Sequence, residues 1–136
     1  MLALDHIGIA VKDLETALKT YASLGLQPTQ RGTVAPFNVE VCMLSLGNAH
    51  IELLQPTHPD SPIAKFLERR GEGLHHIALK VHNIAETLAR LKAQGFQLID
   101  EAPREGFGGH LVAFIHPKST HGVLIELVQH THELNT

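Results

Sequence analysis

At 136 residues, 43% apolar and 18% charged, the chain has the size and composition of one soluble globular domain. A net charge of −3, from 11 Lys+Arg against 14 Asp+Glu, gives no basic field to hold a nucleic-acid backbone. No apolar run approaches the roughly 20 residues that cross a bilayer. The N-terminus enters a strand pattern without a signal-peptide pattern, so a cytoplasmic location is expected. The single cysteine, Cys42, cannot form an internal disulfide and, set in Val41-Cys42-Met43-Leu44, reads as a buried thiol.

In chain order, Ala3 to Val11 alternates as a strand, and Asp13 is a good N-cap for a helix from Leu14 to Leu24. Leu14, Ala17, Leu18 and Tyr21 fall on one face of that helix, and Gly25 stops it. Leu26 to Arg31 reads as a strand and Gly32 to Pro36 as a turn or mobile loop. Val39 to Leu46, the Gly47-Asn48 turn and Ile51 to Gln55 read as a hairpin. Pro56 to Pro62 holds three prolines in seven positions and is the candidate linker. Ser61 caps a short helix from Pro62 to Arg70, with proline at the first turn, where its missing N–H costs nothing. Leu74 to Val81 is then a strand, Asn83 caps a helix from Ile84 to Ala93, and Gly95 ends it. Phe96 to Asp100, Leu111 to His116 and Val123 to Gln129 are expected strands, separated by turns at Gly106-Phe107-Gly108-Gly109 and Pro117 to Gly122. His130 to Thr136 is polar and expected to fray.

The two halves repeat. Leu74-His75-His76-Ile77-Ala78-Leu79-Lys80-Val81 matches Leu4-Asp5-His6-Ile7-Gly8-Ile9-Ala10-Val11 seventy positions earlier, placing His76 on His6. Asn83 falls on Asp13, Gly95 on Gly25 and Gln97 on Gln27 at the same offset. A register held through a strand, a helix start and a helix stop marks a duplicated β-α-β-β-β unit. The fold class is therefore α+β, as tandem βαβββ modules: module one at 1–55, a linker and short helix at 56–73, module two at 74–130.

Each module also ends on a matching strand, Ile51-Glu52-Leu53-Leu54-Gln55 and Ile125-Glu126-Leu127-Val128-Gln129. Glu52 thereby pairs with Glu126, and four extra loop residues account for their wider offset. A carboxylate on an apolar strand costs several kcal/mol unless it meets a charge partner or a cation. Two histidines and two glutamates in one repeated pattern suggest a shared ion, with His6, Glu52, His76 and Glu126 as ligands. Imidazole nitrogen with carboxylate oxygen suits Co, Ni, Mn, Fe or Zn better than Ca, and four protein ligands leave two octahedral positions for substrate oxygens. His75 competes with His76, but the repeat puts Asp5 at its place and successive strand residues face opposite ways. The other histidines, at 50, 58, 82, 110, 116, 121, 130 and 132, have no partner in the repeat and read as loop or surface residues, with His116 and His110 the best of them for a role.

This arrangement resembles the vicinal oxygen chelate superfamily, which includes glyoxalase I, extradiol dioxygenases and methylmalonyl-CoA epimerases. The Asp60-Ser61-Pro62-Ile63 helix start, Gly73-Leu74-His75-His76-Ile77, and the His116-Pro117-Lys118-Ser119 turn before the final strand resemble the methylmalonyl-CoA epimerase family in particular. The resemblance implies an isomerase that interconverts (R)- and (S)-methylmalonyl-CoA through an enolate stabilised on a divalent cation. Cobalt is the expected metal, ahead of Ni, Mn, Zn or Mg. It further implies an acyl-CoA substrate, no nucleic-acid or membrane partner, and a homodimer. By the same resemblance, Glu126 and Glu40 are the catalytic acid/base pair. Ala35-Pro36-Phe37-Asn38-Val39 departs from the family pattern just before Glu40. Lys118 and Ser119 read either as contacts for a substrate carboxylate or CoA phosphate, or as an ordinary polar turn. Glyoxalase I, and a non-catalytic metal or small-molecule binder on the same fold, are the alternatives.

Overall fold

A computed structural model describes residues 2–131. Its contacts divide the chain into two compact units: residues 6–75, and residues 76–131 together with the first residues of the chain up to Asp5.

In the first unit, β1 (Ala3–Ala10) leads into α1 (Leu14–Ser23), then β2 (Gln27–Val34), β3 (Val39–Leu46) and β4 (Ala49–Pro56). The strands lie in the order β2-β3-β4-β1, with β1 parallel to β4 and the hairpin partners antiparallel. The Asp13 side chain accepts from the Thr16 amide and so caps α1. Gln55 reaches back from the end of β4, its Oε1 accepting the Leu14 amide at 2.7 Å. Two of the amides left unpaired at a helix start are thus satisfied by side chains. Leu14, Ala17, Leu18 and Tyr21 pack with Val11, Cys42, Leu44, Ile51 and Leu53 on one face of the sheet. Each fully buried leucine there contributes roughly 1.5–3 kcal/mol. The unit ends with α2 (Pro62–Arg70), where the buried Ser61 hydroxyl accepts from the Ile63 amide and donates to the Phe37 carbonyl.

The second unit repeats the plan with β5 (Gly73–Lys80), α3 (Ile84–Ala93), β6 (Arg104–Glu105), β7 (Leu111–Ile115) and β8 (Ile125–Gln129), in the order β5-β8-β7-β6. Asn83 caps α3 through the Glu86 amide, and Gln129 Oε1 accepts the Ile84 amide at 2.8 Å, as Gln55 does for Leu14. Ile84, Leu88, Ala113, Ile115 and Leu127 form the matching core.

Two expected elements differ. Gly32 to Val34 is not a loop but the last part of β2, because Gly32, Thr33 and Val34 pair with Val41, Glu40 and Val39. A short 3-10 turn over Ala35–Phe37 follows instead. Pro28 sits beside an irregularity in this edge strand, where its missing N–H is tolerated. Phe96 to Asp100 does not form a strand. It meets β7 at the bridge Leu98–Ile115 and through the Ile99 and Asp100 amides, which donate to the Phe114 carbonyl, and the Asp100 side chain accepts the Phe114 amide that a neighbouring strand's carbonyl would otherwise take. Within the expected fraying tail, residues 132–136 lie outside the described residues. His130 is held, its ring nitrogen hydrogen-bonded to Asp5 Oδ1 and its ring stacked on His110 with centroids 4.2 Å apart.

Candidate functional site

Alternation along each strand decides which side chains share a face. In module one, α1 covers the face that carries Ile51 and Leu53 of β4 and Cys42 and Leu44 of β3. Glu52 points to the other face, as does His6. His6 and Gly8 of β1 stand opposite His50 and Glu52 of β4, so glycine leaves room beside the carboxylate. His6 Nε2 lies 3.4 Å from Glu52 Oε1, and both residues are buried. Module two builds the same pair: His76 Nε2 lies 3.1 Å from Glu126 Oε1, again buried, on the face away from the core of Ile115 and Leu127.

These separations bear on what the pairs can do. A charge-assisted N–H···O hydrogen bond runs at about 2.7–2.9 Å. Two donors each about 2.1 Å from one ion, at right angles, stand about 3 Å apart. The gaps of 3.1 and 3.4 Å match adjacent ligands at least as well as they match a hydrogen bond. A buried imidazole beside a buried carboxylate is also the donor chemistry that a divalent first-row cation takes. The residues of each module therefore fit such an ion.

Glu40 has a different place. It pairs in register with Gln55 on β4 and Thr33 on β2, whereas the β3 residue opposite Glu52 is Met43. Since 40, 42 and 44 lie on one face, Glu40 shares the side of Cys42 and Leu44, which α1 covers. Its carboxylate there binds Arg31 Nε at 3.2 Å, and the same guanidinium binds Glu15 of α1 at 2.5 Å. Glu15 first and Glu40 second hold the Arg31 guanidinium above its usual range. The register turns Glu40, expected as a catalytic residue, away from the His6–Glu52 face, and its ion pair ties the edge strand to β3 and the helix. Beside it, burial pushes the Cys42 thiol up, so that it stays protonated and inert.

The remaining histidines sort by their contacts. The His75 ring packs edge-on against Phe66 of α2, 5.0 Å between centroids. His116 caps the 3-10 turn Pro117–Thr120, its Nδ1 accepting the Lys118 amide, while Ser119 Oγ accepts the Gln97 amide. Ser119 thus ties the turn to the segment that follows α3. The loop reading of His50 is corrected: it is half-buried on β4, opposite His6 and on the face of Glu52. Its spacing of two from Glu52 is the signal that identifies this. Phe114 stands opposite Glu126 on β7, and its ring lies edge-on to His76, 5.9 Å between centroids. Its place was hidden in a run of apolar residues.

Residues 5–114 match the model of the Glyoxalase/Bleomycin resistance protein/Dioxygenase superfamily. The chain is 44% identical to the uncharacterised protein YqjC of Bacillus subtilis, over 95% of this chain and 93% of that one. It is 41% identical to the mitochondrial methylmalonyl-CoA epimerase of Homo sapiens, over 93% of this chain and 73% of the human protein. The crystal structure of methylmalonyl-CoA epimerase from Mycobacterium tuberculosis superposes with a TM-score of 0.92 at 37% identity, covering 97% of this chain and 90% of that one. With the βαβββ unit present twice and each copy carrying its buried histidine and glutamate, the chain belongs to the glyoxalase/bleomycin resistance/dioxygenase superfamily and, within it, to the methylmalonyl-CoA epimerase family.

Proposed function

We propose that this protein interconverts (R)- and (S)-methylmalonyl-CoA, using a divalent cation, cobalt first among those the donors suit, held by His6, Glu52, His76 and Glu126. The observation that carries this reading is the repeated pair: in each module a buried imidazole nitrogen and a buried carboxylate oxygen stand 3.1–3.4 Å apart, the spacing of neighbouring ligands. The similarity to the human and mycobacterial epimerases supports the substrate.

Held by these residues, the cation would supply the Lewis acidity that makes the substrate's α C–H more acidic. The protein's own residues do the rest. The pleat of β4 and β8 aims Glu52 and Glu126 away from the helix-packed cores, and the imidazoles hold the carboxylates in place. Glu126 moves the α-proton on one face of the substrate, its carboxylate oriented by the contact with His76. General acid–base catalysis of this kind contributes about 10²- to 10⁴-fold. Epimerisation also needs a proton returned to the opposite face, and the ion pair of Glu40 with Arg31 on the helix side argues against Glu40 as its donor. A homodimer and a cytoplasmic location complete the proposal, the assembly following from the exposed edge that β2 presents.

The test is exchange at the α-carbon of methylmalonyl-CoA in heavy water. Deuterium is expected to enter the α-position as the stereocentre scrambles, to stop on addition of chelator, and to resume on addition of Co(II). Stoichiometric Co(II) binding with no deuterium incorporated would overturn the reading.

A further inference from the structure

Module two has no counterpart of the eight-residue edge strand β2. Beyond α3 the chain pairs with β7 in strand fashion only at the Leu98–Ile115 bridge and at the two-residue strand β6. Between those points Asp100 takes over the pairing. The Phe114 amide donates to Asp100 Oδ2 at 2.9 Å, and the Phe114 carbonyl accepts from the amides of Ile99 at 2.9 Å and Asp100 at 3.2 Å. Arg104 Nε donates to the other carboxylate oxygen at 3.1 Å, and the Asp100 side chain is only 13% exposed. The residue whose backbone is gripped in this way is the one that faces the site. Phe114 stands directly opposite Glu126 in the β7–β8 register, and its ring meets the His76 ring at 83°. The place opposite Glu52 in module one holds Met43, an unbranched chain on a strand that pairs with β2 over most of its length, with an irregularity between Pro28 and Gln30.

We propose that Asp100 is a positioning residue for the His76–Glu126 pair, acting through Phe114. Its carboxylate fixes the Phe114 backbone from the edge of the sheet, and the Phe114 ring then limits how far the His76 imidazole can turn from Glu126. The half-buried carboxylate serves because a two-residue strand cannot supply the missing acceptor. The consequence for cation binding rests on the proposed function, whereas the geometry does not. A ring wedged against an imidazole is an outer-shell contact, and such contacts govern the orientation of the ligating nitrogen.

The test uses the full-length, metal-free chain with ¹³C-labelled histidine, the His76 ring signals being identified by their loss in His76→Gln. Phe114→Leu removes the ring current and sets the displaced position of those signals. Asp100→Ala is expected to move them toward that position and to weaken Co(II) binding about tenfold, and Asp100→Asn, whose amide oxygen still accepts the Phe114 amide, to leave both within about twofold of wild type. Should Asp100→Ala fail to fold, Asp100→Glu moves the acceptor by one methylene and is expected to displace the signals partway. Unmoved His76 signals in the folded Asp100→Ala or Asp100→Glu chain would overturn the inference, as would Asp100→Asn displaced as far as Asp100→Ala. Absence of deuterium exchange in the wild type would fell the proposed reaction and leave these NMR shifts standing. Exchange with unmoved His76 signals would fell this inference alone.

Discussion

The first module closes its sheet with an eight-residue strand, and the second closes with two residues and a carboxylate. Around that difference the two copies keep the same devices: Asp13 and Asn83 as caps, Gln55 and Gln129 on the first helical amide, and a buried histidine beside a buried glutamate. The retained positions are those where one side chain must reach one target on a fixed face of the sheet. The edges are free to diverge because any well-placed acceptor can satisfy an amide at a strand's border, whether a ladder carbonyl or Asp100. What stands opposite the glutamate has diverged too, Met43 in one copy and Phe114 in the other.

The largest effect expected from breaking the symmetry is chemical. Glu126→Gln should lower α-proton exchange by about 10³-fold, as loss of a proton-carrying carboxylate does, while folding stays intact by circular dichroism. Glu40→Gln should leave exchange within a few-fold, as its place on the helix side requires, and a comparable collapse there would refute the assignment by face. Next come the cores. Leu53→Ala and Leu127→Ala should each cost about 2–5 kcal/mol in urea unfolding, and a site that tolerated one but not the other would show that the repeat of packing is superficial. Gln55→Ala and Gln129→Ala should each cost about 1 kcal/mol in the same measurement, since each leaves a helix-start amide without its acceptor.

The smallest effect separates the caps by pH. The Thr16 hydroxyl and then its amide hold the Asp13 carboxylate below the usual aspartate range. Its stabilising contribution is therefore complete above the unfolded-chain value and is lost as pH falls through the lowered folded value. Asn83 carries no such charge. Asp13→Asn should thus unfold at nearly the wild-type urea midpoint at neutral pH and lose less of it in acid, a difference read from melts at pH 7 and pH 3. An unchanged acid loss would remove Asp13 from the account.

Much of the site was legible because a repeat is a property of spacing. His6 with His76 and Glu52 with Glu126 stand out once the halves are aligned, and the α1 face of Leu14, Ala17, Leu18 and Tyr21 follows from helical period alone. Glu40 and His50 show the limit. Both lie within two residues of a strand boundary, where a sequence read without its partner strand does not reveal which side each residue takes. Phe96 to Asp100 failed as a strand for a related reason: its apolar text suits a sheet, but past the Leu98–Ile115 bridge the Phe114 amide of β7 is taken by the Asp100 side chain in place of a backbone carbonyl, and the ladder stops.

The amino-acid order alone determined the duplication, the helix starts and stops, and the two histidine–glutamate pairs, because caps, periods and repeats are local or self-referential. Tertiary structure alone decided that Glu40 turns toward Arg31, that His50 stands beside His6, and that Asp100 grips Phe114. Those outcomes depend on strand register and on which face a helix covers, and both are set by contacts between residues far apart along the chain.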